Sequence, residues 1–112
     1  MSRHDPAVAL RDMLDHACEA IAFLDETSAE DLAADRKLML AVIRLIEVVG
    51  EAANRVPRDV QVKHSAIPWR DIVGMRNRLI HGYDELDGPR IWSTVMEDFP
   101  ALVRDLERAL GN

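Results

Sequence analysis

Apolar residues recur along this chain at the three- and four-residue spacing of amphipathic helices, and the strict alternation of a half-buried strand is absent. We therefore expect an all-α domain, an up-and-down bundle of four main helices with one short extra helix. The main helices are predicted from Pro6 to about Asp25, from about Arg36 to Arg55, from Pro68 or Trp69 to about His81, and from Asp87 to Leu110.

Short polar residues mark where the first helices begin. Asp5 precedes Pro6, which pairs an N-cap with a favoured first helical residue. Ser28 lies three positions before Asp31, and the pair resembles a capping box that starts the short helix. Asp35 can cap the long helix.

Prolines mark the predicted interruptions. Residues 57–67 begin with Pro57 and are predicted to form a loop after the long helix. Pro100 falls inside the last helical pattern, where it lacks the N–H that a helix interior needs. We therefore predict a kink or break near Phe99.

The predicted long helix is apolar around much of its circumference, with a wide stripe flanked by a second strip that contains Met39, Ile43, Ile46 and Gly50. Such a wide arc indicates either several neighbouring helices or a partner chain. We favour a homodimer over a monomer with a central helix. Glu47, Glu51 and Asn54 share the remaining face.

Charge is distributed unevenly along the 112 residues. The net charge of −6 on its own argues against binding nucleic acid. Residues 36–83, however, hold nine basic and four acidic side chains, and the surplus acid lies on either side of them. We therefore expect weak, salt-sensitive RNA affinity, confined to a local basic surface.

The same composition bounds the domain count and the compartment. The length predicts one domain, 1–112. Cys18 is the single cysteine, which excludes an internal disulfide and fits a reducing compartment, so we expect a cytoplasmic protein. No apolar run reaches the roughly 18 residues of a bilayer-spanning helix, and neither a membrane partner nor a metal site is expected.

Arg76 falls in the middle of the apolar face of the predicted helix that ends near His81. A buried guanidinium needs a partner, because an unpaired buried charge costs several kcal/mol. The carboxylates of Glu47 and Glu51 are the candidate partners within the chain. A functional role for Arg76 is the other interpretation of this placement.

His81 can touch Asn77, four residues earlier on a regular helix, but lies about 140° away from Arg76. The two could still share a site if Arg76 reaches round the helix, if the helix unwinds at Ile80, or if a second protomer completes the cluster. A solvated histidine at a helix end is the alternative.

The run of residues 76–83, Arg-Asn-Arg-Leu-Ile-His-Gly-Tyr, resembles the Arg-x4-His-x-Tyr motif of HEPN domains, specifically the HepT-like toxins of toxin–antitoxin pairs. Residues 67–75 resemble the lead-in common in that group, and residues 46–53 resemble its long-helix signature. Because the three segments coincide in a helical chain of the family's length, the resemblance is specific.

The resemblance implies a dimerising all-α bundle that acts as a metal-independent endoribonuclease. It makes Arg76 and His81 the catalytic pair, with Asn77 as the polar residue beside the arginine. It also implies an antitoxin that is a minimal nucleotidyltransferase and adds AMP to Tyr83, so ATP would be used by that partner and this chain would need no cofactor. A core aromatic that caps the helix end is the alternative for Tyr83.

These residue types suit RNA cleavage, in which the 2′-hydroxyl of the substrate can itself attack phosphorus. Histidine exchanges protons near neutral pH, and arginine matches phosphate oxygens with two N–H groups. Arg70 and Arg78 are candidate phosphate contacts. The competing hypothesis is a HEPN module, or a partner subunit, that binds RNA or nucleotide without cleaving it.

Overall fold

The longest helix of the computed structural model begins and ends where the sequence predicts, at Arg36–Arg55. The structure describes residues 5–81 and 85–111, with His81 described by its backbone alone. Within them the helices are α1 Pro6–Phe23, α2 Ala29–Ala33, α3 Arg36–Arg55, α4 Arg58–Lys63, α5 Trp69–Gly74, α6 Arg76–Leu79, α7 Gly88–Ser93 and α8 Phe99–Ala109. The predicted all-α class is confirmed.

The predicted helix caps are all formed. The side chain of Asp5 accepts from the Ala7 amide at 2.9 Å, and Ser28 accepts from the Asp31 amide at 3.1 Å. Asp35 accepts from the Leu38 amide at 3.0 Å. Each cap satisfies a backbone donor that the first helical turn leaves without a partner. The first helix ends two residues before the predicted Asp25, at Phe23.

The predicted loop over residues 57–67 is wrong in part, because it contains α4. The carbonyl of Pro57 accepts from the amides of Val60 and Gln61, both at 3.0 Å, which closes the first turn. The Gln61 amide group then donates to the carbonyl of Val56 at 3.1 Å. This side chain caps the end of α3 from the following helix, a contact that the local sequence pattern does not reveal.

The predicted helix from Trp69 to His81 is also wrong in its last part. It tightens at Met75, whose amide bonds to the Ile72 carbonyl three residues back, and it ends at Leu79. The Leu79 carbonyl accepts from the Asp87 amide at 2.9 Å, so it is satisfied without another helical turn. Ile80–His81 forms a short strand, β1, that pairs antiparallel with β2, Glu85–Leu86.

The interruption predicted near Phe99 is confirmed. A π-helical turn, Thr94–Asp98, separates α7 from α8, and Pro100 lies in the first turn of α8. Proline cannot donate the interior hydrogen bond of an α-helix and its ring crowds the preceding turn, so the wider π turn absorbs the mismatch.

The core lies along α1, which packs against both α3 and α8, while α5 packs against α3 and the π turn packs against α1 and α8. Its largest fully buried side chains are Phe99, Met13, Leu24, Leu32, Ile46, Leu79, Ile91 and Leu106. No helix in residues 5–81 or 85–111 combines the length and apolarity that crossing a bilayer requires.

Gly50 sets how closely α3 approaches α5. A Cβ atom added at this position would lie 3.1 Å from the carbonyl oxygen of Ile72. That separation is tighter than ordinary van der Waals contact, so a side chain at this position would push the two segments apart by a few tenths of an ångström. The middle of the long helix is therefore held directly against the segment that leads to Arg76.

Trp69, the first residue of α5, is expected to stabilise the position of this helix through its contacts with the end of α4. Its ring is 9% exposed, and its indole N–H donates to the carbonyls of Gln61 at 3.0 Å and His64 at 3.1 Å. Trp69→Phe removes the donor and part of the ring, so we expect the free energy of unfolding to fall by about 1–3 kcal/mol in urea denaturation. The exposed neighbour Arg70 provides the control, since Arg70→Ala should change the free energy of unfolding by less than about 0.5 kcal/mol. Equal curves for wild type and Trp69→Phe would contradict this assignment.

Candidate active site

Arg76 lies at the rim of the core-facing side of α6, not in the middle of a buried face as the helical wheel predicts. Ile72, Met75 and Leu79 occupy the buried side at three- and four-residue spacing. The side chain of Arg76 is 55% exposed. The prediction of burial is therefore wrong, because Arg76 lies beside the buried residues of this segment and not among them.

The guanidinium of Arg76 nevertheless has a carboxylate partner. Its Nε–H donates to Oε2 of Glu47, which projects from the middle of α3. The Glu47 side chain is 21% exposed and so much less accessible than the arginine. Of the two partners that the sequence suggests, the structure selects Glu47.

Glu51 pairs with a different arginine, Arg44, whose Nη1 donates to Glu51 Oε1 at 3.3 Å. The same Nη1 lies 3.9 Å from Oε1 of Glu47. Arg76, Glu47, Arg44 and Glu51 thus form a row of alternating charges. Sequence reasoning missed Arg44, although its spacing of three and seven residues from the two glutamates places all three on one face of α3.

A hollow of about 180 Å³ lies beside this row, between α3 and the α5–α6 segment. Its polar and small lining residues and the exposed Val73 are Glu47, Gly50, Glu51, Asn54, Val73 and Arg76. It combines an exposed guanidinium with an amide side chain and a backbone brought close by glycine. This is a surface on which an anionic group can meet hydrogen-bond donors.

The other predicted polar residues of the motif segment do not all join this hollow. Arg70 and Asn77 are exposed. Arg78 donates from Nη2 to the Asp71 carbonyl at 3.0 Å and lines a separate groove of about 460 Å³ between α5 and α8. Arg78 therefore lines a different hollow from Arg76.

The groove next to Arg78 is the larger hollow but the poorer phosphate site. Asp71, Glu97, Asp98 and Asp105 line it together with Arg78. These four carboxylates outnumber the one guanidinium and repel a polyanion, whereas the two glutamates at the smaller hollow are each paired with an arginine. The smaller hollow at Arg76 is therefore the candidate active site.

The backbone of His81 lies in β1, where it pairs with Glu85, and its side chain lies outside the described part of the structure. The predicted helical contact with Asn77 loses its basis, because the backbone at Ile80 is already extended, with φ −122° and ψ 119°. Unwinding at Ile80 was one of the routes by which Arg76 and His81 could share a site. Tyr83 lies outside the described residues.

Other reactive groups do not suggest a competing centre. Burial, followed by the carboxylates of Glu107 and Asp15, raises the pKa of the Cys18 thiol, which disfavours the nucleophilic thiolate. In residues 5–81 and 85–111, side chains of His, Cys, Asp and Glu form no group of three that could hold a metal ion.

A family model described as Ribonuclease HepT-like matches residues 8–109. The chain belongs to this HepT-like family. The match extends over the first helices and the last one, which the motif resemblance alone left unsupported, and it confirms the family predicted from residues 46–53 and 67–83.

Individual relatives of this HepT-like chain agree with the family assignment. It is 39% identical over 102 residues to the probable ribonuclease HepT of Thermococcus cleftensis, covering 88% of this chain and 93% of that protein. It is 31% identical over 110 residues to a Methanocaldococcus jannaschii protein named as a candidate RNase, covering 98% and 95% of the two chains. Among solved structures there is no match.

Proposed function

We propose that this HepT-like protein is a cytoplasmic, metal-independent endoribonuclease and the toxin of a toxin–antitoxin pair. The observation that carries the proposal is the half-exposed guanidinium of Arg76, held by Glu47 at the start of α6, the short helix that leads into the strand containing His81. The family match and the names of the relatives support RNA as the substrate.

In the proposed reaction, the 2′-oxygen of the RNA attacks the adjacent phosphorus and the bond from phosphorus to the 5′-oxygen breaks. The products are a 2′,3′-cyclic phosphate and a free 5′-hydroxyl. His81 transfers a proton from the attacking or to the leaving oxygen, and Arg76 stabilises the additional negative charge of the pentacovalent phosphorane. Asn77 orients His81 or holds a phosphate oxygen.

Two further arginines extend the proposed RNA contacts. Arg70 is exposed on α5, the helix that lines the candidate site. Arg78 lies in the neighbouring groove, so it would contact the RNA strand away from the scissile phosphate. Both contacts are electrostatic, so their contribution to affinity should decrease with added salt.

Purified protein should cleave RNA in the presence of EDTA. Arg76→Ala and His81→Ala should each reduce the initial rate by about 10²–10⁴-fold, because each removes either charge stabilisation or proton transfer. Arg108→Ala removes an exposed arginine paired with Asp105 on α8 and serves as the charge-matched control. If wild type cuts no faster than Arg76→Ala and His81→Ala, the non-cleaving RNA-binding module is the correct alternative.

We also propose that the site is completed in a cleft between two copies of the chain. Leu40 is 47% exposed and lies two helical turns before Glu47 on the same face of α3. Val73 is 42% exposed and lines the hollow at Arg76. These apolar side chains border the candidate site and gain by leaving water. A second copy on this face would bring two Arg76 and two His81 into one cleft.

Analytical ultracentrifugation can test this dimer. Val73→Glu places a charge on the proposed interface and should shift the protein from dimer to monomer, with loss of RNA cleavage. Val62→Glu is the matched control, since Val62 is 67% exposed on α4 and outside this face. A monomeric wild type, or equal dissociation in the two variants, would contradict the proposed interface.

Regulation is proposed to act on Tyr83, two residues beyond His81. A partner nucleotidyltransferase would join the phenolic oxygen of Tyr83 to the α-phosphorus of ATP, with release of pyrophosphate and of the phenolic proton. The added anionic group would occupy the cleft beside His81 and repel RNA phosphates. This step uses ATP bound by the partner and no cofactor of the HepT-like chain.

Intact-mass analysis after co-expression with such a nucleotidyltransferase should show mass increases in AMP-sized steps. Tyr83→Phe should abolish them, because it lacks the hydroxyl that accepts the AMP. Co-expression with a catalytically inactive variant of the nucleotidyltransferase provides the control. A neutralised but unmodified toxin would contradict this mode of regulation.

A further inference from the structure

We propose that Glu47 is a positioning residue, which fixes the guanidinium of Arg76 for phosphate through the single contact at Nε. This inference rests on the proposed function, because it assigns how that function's arginine is oriented. The sequence suggests Glu47 only as one of two ion-pair partners. The geometry of the contact and the support behind it indicate the more specific role.

The contact joins elements of very different rigidity. Arg76 belongs to α6, which has four residues, whereas Glu47 lies in the middle of α3, which has 20 residues. Gly50, one turn beyond Glu47, brings α3 to within close contact of the Ile72 carbonyl. The long helix therefore supplies a fixed point from which the carboxylate reaches the short one.

Because Glu47 contacts Nε of Arg76, the other N–H groups of the guanidinium remain available to a ligand. A guanidinium carries five N–H donors in one plane, and Nε–H is one of them. The pair formed by the two terminal nitrogens on the opposite edge matches two phosphate oxygens. A carboxylate at Nε thus sets the plane of the group while leaving that bidentate edge for phosphate.

Arg44 restrains the carboxylate in turn. It lies 3.9 Å from Glu47 Oε1, and it is itself hydrogen-bonded to Glu51 at 3.3 Å. The row of two arginines and two glutamates carries no net formal charge. Glu47 consequently reduces the attraction of the site for RNA while it orients Arg76. Its removal should therefore affect kcat and KM differently.

Steady-state kinetics on an RNA oligonucleotide separate the two effects. Glu47→Ala should reduce kcat by about 10–100-fold, because misplacement of a reacting group by about 1 Å costs up to about 10²-fold. Its KM should stay equal or fall, because a negative charge has been removed. Glu47→Gln keeps an oxygen that accepts from Nε–H, so its kcat should lie between those of Glu47→Ala and wild type.

Asp12→Ala is the matched control. Asp12 on α1 pairs with Arg55 of α3 at 2.7 Å, so this variant breaks an exposed carboxylate–arginine pair away from the candidate site. It should leave kcat within about twofold of wild type. Circular dichroism melting of all variants verifies that they fold.

A measurement independent of activity monitors the contact itself. In ¹H–¹⁵N spectra the Nε–H signal of Arg76, assigned by its loss in Arg76→Lys, should be protected from solvent exchange in wild type and in Asp12→Ala. It should lose that protection in Glu47→Ala. Unchanged protection in Glu47→Ala would overturn the proposal.

The kinetic outcomes also distinguish the positioning role of Glu47 from the ribonuclease proposal on which it rests. If Arg76→Ala abolishes cleavage while Glu47→Ala retains the wild-type kcat, or raises KM alone, the positioning role is wrong and the ribonuclease proposal stands. If wild type cuts no better than Arg76→Ala, the ribonuclease proposal fails. The exchange measurement then still decides whether Glu47 fixes Arg76.

Discussion

The close approach of α3 to α5 at Gly50 is the constraint on which the candidate site depends. Helix backbones are normally kept apart by the side chains between them. Here a missing side chain lets the Ile72 carbonyl lie against the middle of the long helix. The same contact sets the distance across which Glu47 reaches Arg76, so the packing of the core and the geometry of the polar row are one arrangement.

The helical framework could be predicted because its signals are local. Asp5, Ser28 and Asp35 each cap the helix that follows within three residues, and Pro100 interrupts the helix in which it lies. Asp35 and Pro57 likewise mark the bounds of the long helix, which lies at Arg36–Arg55 as predicted. These features require only neighbouring backbone atoms, which a single sequence specifies.

The errors occurred where distant contacts override the local pattern. Gln61 caps α3 and helps to turn an expected loop into α4. The amide of Asp87 satisfies the carbonyl of Leu79 and ends a helix that the apolar spacing would continue to His81. The choice of Glu47 over Glu51 likewise depends on how two helices meet, which the helical wheel of either one does not contain. The family motif points to the candidate segment but carries no information about this geometry.

The packing of α1 against α8 has a consequence for when the candidate site can form. Phe99, Leu102 and Leu106 are buried, and α8 packs beside the first helix of the chain. During synthesis, α1, α3 and the motif segment all leave the ribosome before these residues do. The apolar side of α1 lacks this neighbour until α8 emerges, so the core that supports Arg76 closes only after α8 has been synthesised. A truncated chain would carry the whole motif without the surface that holds it in place.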